Sequence, residues 1–476
     1  MSQSPLNLSS LGSINADGSR RYIHPADVKG RFTFWRRLTA LVLLVVYVAL
    51  PWIPIKGHPA VFLDIVSRRF HFFGITIATQ DLWVGFFFVT GLAFSLFFVT
   101  SLFGRVWGGW TCPYTVFLEH VYRRVERWID GDATARRKLE DAPWNLTKIS
   151  KTVLKQGIFL VISALIAHVF LSYFVSIKGL YEMMKGPPRE HLMAFGIVMS
   201  LTLALYGAFS WFREQFCVIM CPYGRLQSAL TDDNSLVIGY DKKRGEPRGK
   251  VSDPNAGACV SCNRCVQVCP TGIDIRNGLQ LECIGCAACV DACDDIMTKV
   301  KRPTGLIRYD SWNGFSGGKT RFIRPRTIFY TVLLCLGLVA FTLAFRTISP
   351  VRASVVRMQG APFYIVDGVV RNQFLIRVIN KRDVTARFKF VMEGDLPAEM
   401  AITGLDEVME LPPLGEEVKA LVLAIPEDKF QTKKTLKVRV TDLESGSSSL
   451  TRAMELLGPD PRLKSTGPLN AKDYIQ

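Results

Sequence analysis

Residues Cys259 to Cys293 read CVSCNRCVQVCPTGIDIRNGLQLECIGCAACVDAC and hold eight of the chain's twelve cysteines. They form two runs, Cys259, Cys262, Cys265 and Cys269, then Cys283, Cys286, Cys289 and Cys293, each spaced C-x2-C-x2-C-x3-C. Three close thiolates hold three irons of one cubane, while the fourth cysteine is aimed away at a second cluster. Two such runs in tandem therefore exchange their fourth ligands. The expected sets are Cys259, Cys262, Cys265 and Cys293 for one [4Fe-4S] cluster, and Cys283, Cys286, Cys289 and Cys269 for the other. Structural zinc takes its ligands as two pairs, which does not match three close cysteines plus a displaced fourth, occurring twice. Pro270 follows the first run, whereas Asp294 follows the second, so that turn is expected to differ.

Around this stretch the chain is apolar. Hydrophobic residues make up 49% of the 476 residues and the mean hydropathy is +0.20, which points to a membrane protein. A hydrocarbon core about 30 Å thick needs about 20 helical residues to cross it. Five runs meet that length, at 38–55, 82–103, 154–177, 192–212 and 327–345. Trp35, Trp52, Trp83, Trp107, Trp110 and Trp211 lie near their ends, where an amphipathic ring suits the headgroup level. The first run is flanked by Trp52-Ile53-Pro54 and lacks a small-residue cleavage site, so it is expected to be retained rather than removed as a signal peptide.

Short loops rich in Lys and Arg stay on the cytoplasmic side. Arg20, Arg21, Lys29, Arg31, Arg36 and Arg37 precede the first run, and the 105–153 loop carries Arg123, Arg124, Arg127, Arg136, Arg137 and Lys138 among its cations. The 56–81 and 178–191 loops carry fewer. The N-terminus and the cysteine-rich stretch are thus expected inside, and the tail after 345 outside. That tail has no cysteine, in keeping with cluster assembly in a reducing compartment. The formal charge of +17 follows the topology, and no nucleic-acid-binding motif accompanies it. Contact with anionic lipid accounts for it.

The organisation expected is a multi-domain membrane protein: residues 1–37 as a cytoplasmic N-terminal segment whose first twenty residues are disordered, and 38–225 as a four-helix membrane domain. Residues 226–326 form an inserted two-cluster ferredoxin-like domain with its linkers, 327–345 a fifth transmembrane helix, and 346–476 an all-β sandwich. The sandwich is read from period-two alternation at Phe374, Ile376 and Val378, at Ala386, Phe388 and Phe390, and at Leu436, Val438 and Val440. It holds no triad or metal cluster and reads as a partner-docking module. The apolar 56–81 loop is expected to be an interfacial segment.

Two loops carry a second chemistry. The second run ends in Gly104-Arg105-Val106-Trp107-Gly108-Gly109-Trp110-Thr111-Cys112-Pro113-Tyr114, and the fourth in REQFCVIMCPYG with Cys217, Met220, Cys221 and Pro222. Both place Cys-Pro-Tyr just past an inward-going run, so the two halves read as an internal repeat. Cys112, Cys217, Cys221 and Met220 form a soft sulfur set suited to Cu(I) or another thiophilic centre; buried cysteines acting as small hydrophobes are the plainer alternative. His168, near the middle of the third run, is either a ligand or an interhelical hydrogen-bond partner. Met183, Met184, His191 and Met193 are weaker candidates to receive copper, and Cys335 reads as core.

Taken together, the Cys-Pro loops, the REQFCVIMCPYGRLQSAL and YDKKRGEPRG segments, the two ferredoxin runs, a fifth span and a β-rich tail resemble the FixG/RdxA/CcoG family of cytochrome c oxidase accessory proteins. The resemblance covers nearly the whole chain. It implies a multi-pass protein of the bacterial inner membrane with an immunoglobulin-like periplasmic tail. It also implies assembly of the cbb-type oxidase alongside copper-delivery factors, and reduction of Cu(II) to Cu(I) for the oxidase copper centre with electrons from a cytoplasmic donor. The eight cluster cysteines match the family, as do Cys217, Cys221 and Pro222. The first loop departs, with Gly108 where the family commonly has a cysteine and Tyr114 where it has a glutamine, which leaves at most three thiolates there. A quinol-oxidising ferredoxin-type subunit feeding a periplasmic reductase, and a non-enzymatic scaffold or redox sensor, are the competing readings. Homo-oligomerisation is left open.

Overall fold

The computed structural model describes residues 22–459 apart from 79–80, 348–350, 383, 395–398, 405–407, 431–433 and 444–448. The N-terminal stretch expected to be disordered lies outside the described residues. Two compact units divide the chain, one built from residues up to 75 together with 83–341, the other from 76–82 and 342 onward.

In the first unit, five helices are long and apolar enough to cross a membrane: Arg31–Trp52, Trp83–Phe103, Leu146–Leu171, Pro188–Phe212 and Pro325–Arg346. As little as 6% of the apolar window of the last is buried within the protein, so these side chains face lipid, and the chain is a multi-pass membrane protein. Hydropathy marks only the part of a helix that suits lipid, so span ends differ from expectation, most at the third. The third starts at Leu146, where the Asn145 side chain accepts from the Lys148 amide at 2.8 Å, an N-cap that extends the helix into its basic approach. It stops at Leu171, because Ser176 caps a separate short helix, Ile177–Lys185.

Within the 56–81 loop, expected as an interfacial segment, the chain forms short strands. Val61–Asp64 pairs antiparallel with Arg69–Phe72, and Pro54–Ile55 with His58–Pro59. Arg68 at φ 57° and Gly57 at φ 84° supply the left-handed residues that tight reversals require. Few charges in this loop reflect a small sheet, with His71 buried and stacked on His58 at 3.9 Å.

The insert between the fourth and fifth spans is closed by an antiparallel pair, Val237–Tyr240 with Ile307–Asp310. These strands bracket the cysteine runs and pack Ile238, Ile273, Ile275, Val290, Met297 and Leu306 against them. Each run leads into a helix, Arg264–Gln267 and Ala288–Lys299. The two cysteine turns share a backbone signature: Ser261 and Asn263 flank Cys262 at φ 54° and 53°, and Gly285 and Ala287 flank Cys286 at 68° and 58°. Left-handed residues at matching positions point successive amides inward, the concave arrangement that cradles anionic groups such as iron-sulfur centres.

The second unit is an immunoglobulin-like sandwich. One sheet runs in the order Ala401–Thr403, Glu416–Pro426, Val369–Asn380, Val351–Arg357, with Tyr364–Val366 also on Val369–Asn380; the other runs Val408–Leu411, Ala386–Glu393, Lys434–Asp442, Ser449–Leu456. Phe374, Ile376, Val378, Phe388, Leu436 and Val438 are all buried between them, as the alternation requires.

Candidate iron-sulfur and thiol centre

Two cavities lie inside the insert. One is lined by Cys259, Cys262, Cys265 and Cys293, with Tyr240, Arg276 and Met297 in its wall. The other is lined by Cys269, Cys283, Cys286 and Cys289, with Cys265 at its edge. Three cysteines of each run thus meet the fourth of the other. Among the described residues, no three His, Cys, Asp or Glu side chains converge as a single ion would need. A cubane spaces its thiolates more widely than a mononuclear ion does, so apolar pockets ringed by four sulfurs fit that group. Burial pushes the Cys283 and Cys293 thiols up to about 12 and that of Cys265 up to about 11. They are neutral without a metal, and bound iron would expel their protons. Cys262 is exposed, whereas Cys283 and Cys286 are buried.

The buried edge of the second cavity is seated on the first Cys-Pro loop. Arg105 donates to the Cys283 carbonyl at 3.3 Å and to the Gly224 carbonyl at 2.6 Å, joining the cysteine turn to the loop after Cys221. Trp110 Nε1 donates to the Gly285 carbonyl at 3.2 Å, and the Tyr309 hydroxyl to the same oxygen at 2.5 Å. Gly109 is pressed against this turn: a Cβ there would stand 2.6 Å from the Ile284 carbonyl oxygen and 2.8 Å from the Cys286 amide nitrogen. At Gly108 it would meet Ile284 at 3.6 Å, an ordinary contact. Gly109→Ala should therefore lower stability by about 1–3 kcal/mol, the usual cost of overpacking, while Gly108→Ala is tolerated. Thermal melts of the two variants in detergent provide the check.

Past this contact lie the three loop thiols. Cys112 caps the helix Pro113–Phe117 at φ −59°, ψ 121°, and Cys221 caps Pro222–Leu230 at φ −63°, ψ 108°, so the two halves repeat the same Cys-Pro turn. Proline at the first helical position is preorganised for this role. Cys217 sits in a wide π-type turn, Phe216–Met220, closed by the Cys221 amide on the Phe216 carbonyl at 2.8 Å. Such turns concentrate at functional sites. Burial, followed by its neighbours Cys112 and Cys221, pushes the Cys217 thiol up to about 12, and the three thiols do not converge closely enough to hold a single ion among the described residues. Met220 is exposed. Tyr114 stacks on Phe216 at 4.4 Å and Phe209 at 4.9 Å, and its hydroxyl is shared between the carbonyls of Arg213 at 2.6 Å and Ala208 at 2.9 Å. It thereby holds Arg213, a left-handed residue at φ 50°.

Beneath the thiols is a buried ion network that the loop's charge count concealed. Arg123 is 0% exposed and pairs with Glu119, with Glu214 at 2.9 Å, and with the Pro270 carbonyl at 3.2 Å. Arg213 grips Glu126 through two nitrogens at 2.8 and 3.1 Å, and Arg136 approaches the same carboxylate at 3.5 Å. Burial alone would raise the Glu119 and Glu126 carboxyls, but Arg123 and Arg36 around the first, and Arg213 and Arg123 around the second, hold both below the usual range. The four-residue spacing of Glu119 and Arg123 was the only local sign of this.

His168 gives its Nδ1 to the Ala164 carbonyl at 2.7 Å and lines a separate apolar cavity of about 500 Å³ with Met183, Met184 and His191. Met193 and Cys335 are exposed. None of these residues joins the cysteine centre.

Comparison with known proteins follows the same division. A 4Fe-4S dicluster domain matches residues 212–312, and the model described as "IG-like fold at C-terminal of FixG, putative oxidoreductase" matches 341–459. The nitrogen fixation protein FixG of Rhizobium meliloti is 37% identical over 81% of this chain and 82% of its own length. The chain belongs to the FixG/RdxA family. Protein RdxA of Cereibacter sphaeroides is 34% identical over 81% of this chain and 85% of its own, and RdxB of the same organism 32% over 85% and 89%. This FixG/RdxA member is accordingly an iron-sulfur electron-transfer protein of the membrane.

Proposed function

We propose that this FixG/RdxA member reduces Cu(II) to Cu(I) at the thiols of Cys112, Cys217 and Cys221, in the bacterial inner membrane, for assembly of a cbb-type oxidase. Cys259, Cys262, Cys265 and Cys293 would hold one [4Fe-4S] cluster, and Cys283, Cys286, Cys289 and Cys269 the other. Bound there, the two clusters supply electrons singly, which matches the one-electron reduction of copper. The observation that carries the reading is the seating of the Cys283 to Cys286 turn on the Arg105 to Cys112 loop through Arg105, Gly109 and Trp110. It brings one cysteine set against the soft thiols. The exposed Cys262 marks the opposite set as the place where a cytoplasmic donor would approach. The positive-inside distribution of Lys and Arg supports a cytoplasmic insert and a periplasmic sandwich.

Half-buried thiols suit the role, since Cu(I) is taken by soft sulfur. Cys217→Ser with Cys221→Ser should cut Cu(II) reduction by the dithionite-reduced protein roughly tenfold or more, because hydroxyls are poor Cu(I) ligands. Iron and sulfide content should stay at wild-type levels. Unchanged Cu(I) formation, followed with a Cu(I)-specific chromophoric chelator, would show that copper is reduced elsewhere.

A further inference from the structure

A concave basic pocket opens beside the second cysteine set, between the start of the first span and the loop after Cys112. Arg36 and Arg37 enter it from the first turns of the span, and Arg124 and Arg127 from the loop. Its far wall is Val268, Pro270 and Ala288, next to Cys269 and Cys289. Four guanidiniums face two carboxylates there. Asp27 pairs with Arg127 at 2.9 Å, and Glu119 lies 3.5 Å from Arg36 but is held more closely by Arg123. Arg37 and Arg124 make no hydrogen bond or ion pair with any described residue.

Two further facts show that this charge is uncompensated from within. Arg36 is 7% exposed, and its Nε, like that of Arg127, is buried without an acceptor. The two carboxylates of the lining, Asp27 and Glu119, are already held by Arg127 and Arg123. His120, also in the lining, is held down to about 4 by burial and Arg36; it is neutral at pH 7 and adds no charge. Buried donors without partners are costly, and planar guanidinium forks match the oxygens of phosphate.

We propose that this pocket binds a phosphate group, carried by an anionic lipid headgroup or by a free phosphate compound, and that Arg37 and Arg124 are its principal ligands. Occupancy would tie the first span, the loop and the Cys269 to Cys289 wall together at headgroup level. The proposal is independent of copper chemistry.

The test is isothermal titration of the full-length, iron-loaded protein in an uncharged detergent. The probes are dioctanoylphosphatidylglycerol, dioctanoylphosphatidylcholine and inorganic pyrophosphate, and the variants are Arg37→Gln with Arg124→Gln, and Arg137→Gln on the exposed side of the same loop. Removing two charge-assisted pairs should weaken binding roughly tenfold or more, with Arg137→Gln and the iron content unaffected. Preference for phosphatidylglycerol over phosphatidylcholine, with no competition by pyrophosphate, identifies a lipid headgroup. Tight binding of pyrophosphate identifies a free phosphate ligand. If the double variant loses iron, Arg124→Gln alone carries the comparison. Binding of neither anionic probe, or equal loss in Arg137→Gln, overturns the proposal.

Discussion

Cys293→Ala should remove the cluster of the first cysteine run and leave that of its own run intact. Purified anaerobically, the variant should hold about half the wild-type iron, one cubane in place of two. Its electron resonance spectrum after reduction should match that of Cys262→Ala, because both residues line the cavity with Cys259 and Cys265. Cys269→Ala should instead match Cys286→Ala, since these line the other. Cys293 lies on the helix Ala288–Lys299 and Cys269 just past the helix Arg264–Gln267, and each helix carries its last cysteine away from the turn that begins its run. Spectra that group Cys293 with Cys286 would mean that the runs do not exchange ligands. The grouping discriminates even where a cluster loss loosens the domain, because it compares which centre survives.

Why this pairing is readable from residues, while its setting is not, comes down to the range of the interactions. Cysteine spacing, a span of lipid-compatible length and strand alternation are local patterns, and each fixes its structure without reference to distant chain. Phe388 and Val438 are buried because their neighbours alternate, and the five spans follow from apolar length alone. In the 56–81 loop the apolar character is legible but the strand pairing is not, because scarcity of charge is the same in a small sheet and in other membrane-surface segments, and hydropathy does not separate them. The seating of Gly109 on Cys286 joins residues far apart in sequence, and a Gly-Gly pair in a loop reads as a turn. Arginines of the 105–153 loop were all counted as topology signals, although Arg123 is fully buried and Arg137 exposed. Composition cannot sort them, because what buries Arg123 is Glu214, 91 residues away.

That arginine carries the second large effect. Arg123→Leu should destabilise the protein by roughly 3–5 kcal/mol, the cost of leaving buried partners uncompensated, whereas Arg137→Ala should stay within about 0.5 kcal/mol, as exposed substitutions do. The loss is asymmetric, because Glu119 and Glu214 remain at 6% and 1% exposure with no cation of comparable proximity to Glu119. Adding Glu119→Gln to Arg123→Leu should recover part of the loss, since one of the stranded charges is then neutral. Arg123→Lys should be intermediate; a single ammonium cannot reach Glu119, Glu214 and the Pro270 carbonyl at once. The pH dependence has a fixed sign. Glu119 and Glu126 have folded values below their unfolded ones, so the stability they contribute is present above the unfolded carboxylate value. It is lost as pH falls through the folded value. Melting temperature should therefore fall on acidification in wild type. The fall should be shallower in Arg123→Leu, where the carboxyl of Glu119 no longer has its main partner. Because Arg123 also holds the carbonyl of Pro270, next to Cys269, the same variant should lose the second cluster before the first on warming. Retention of both clusters with an unshifted melt would show that the buried cation does not anchor the cysteine turn.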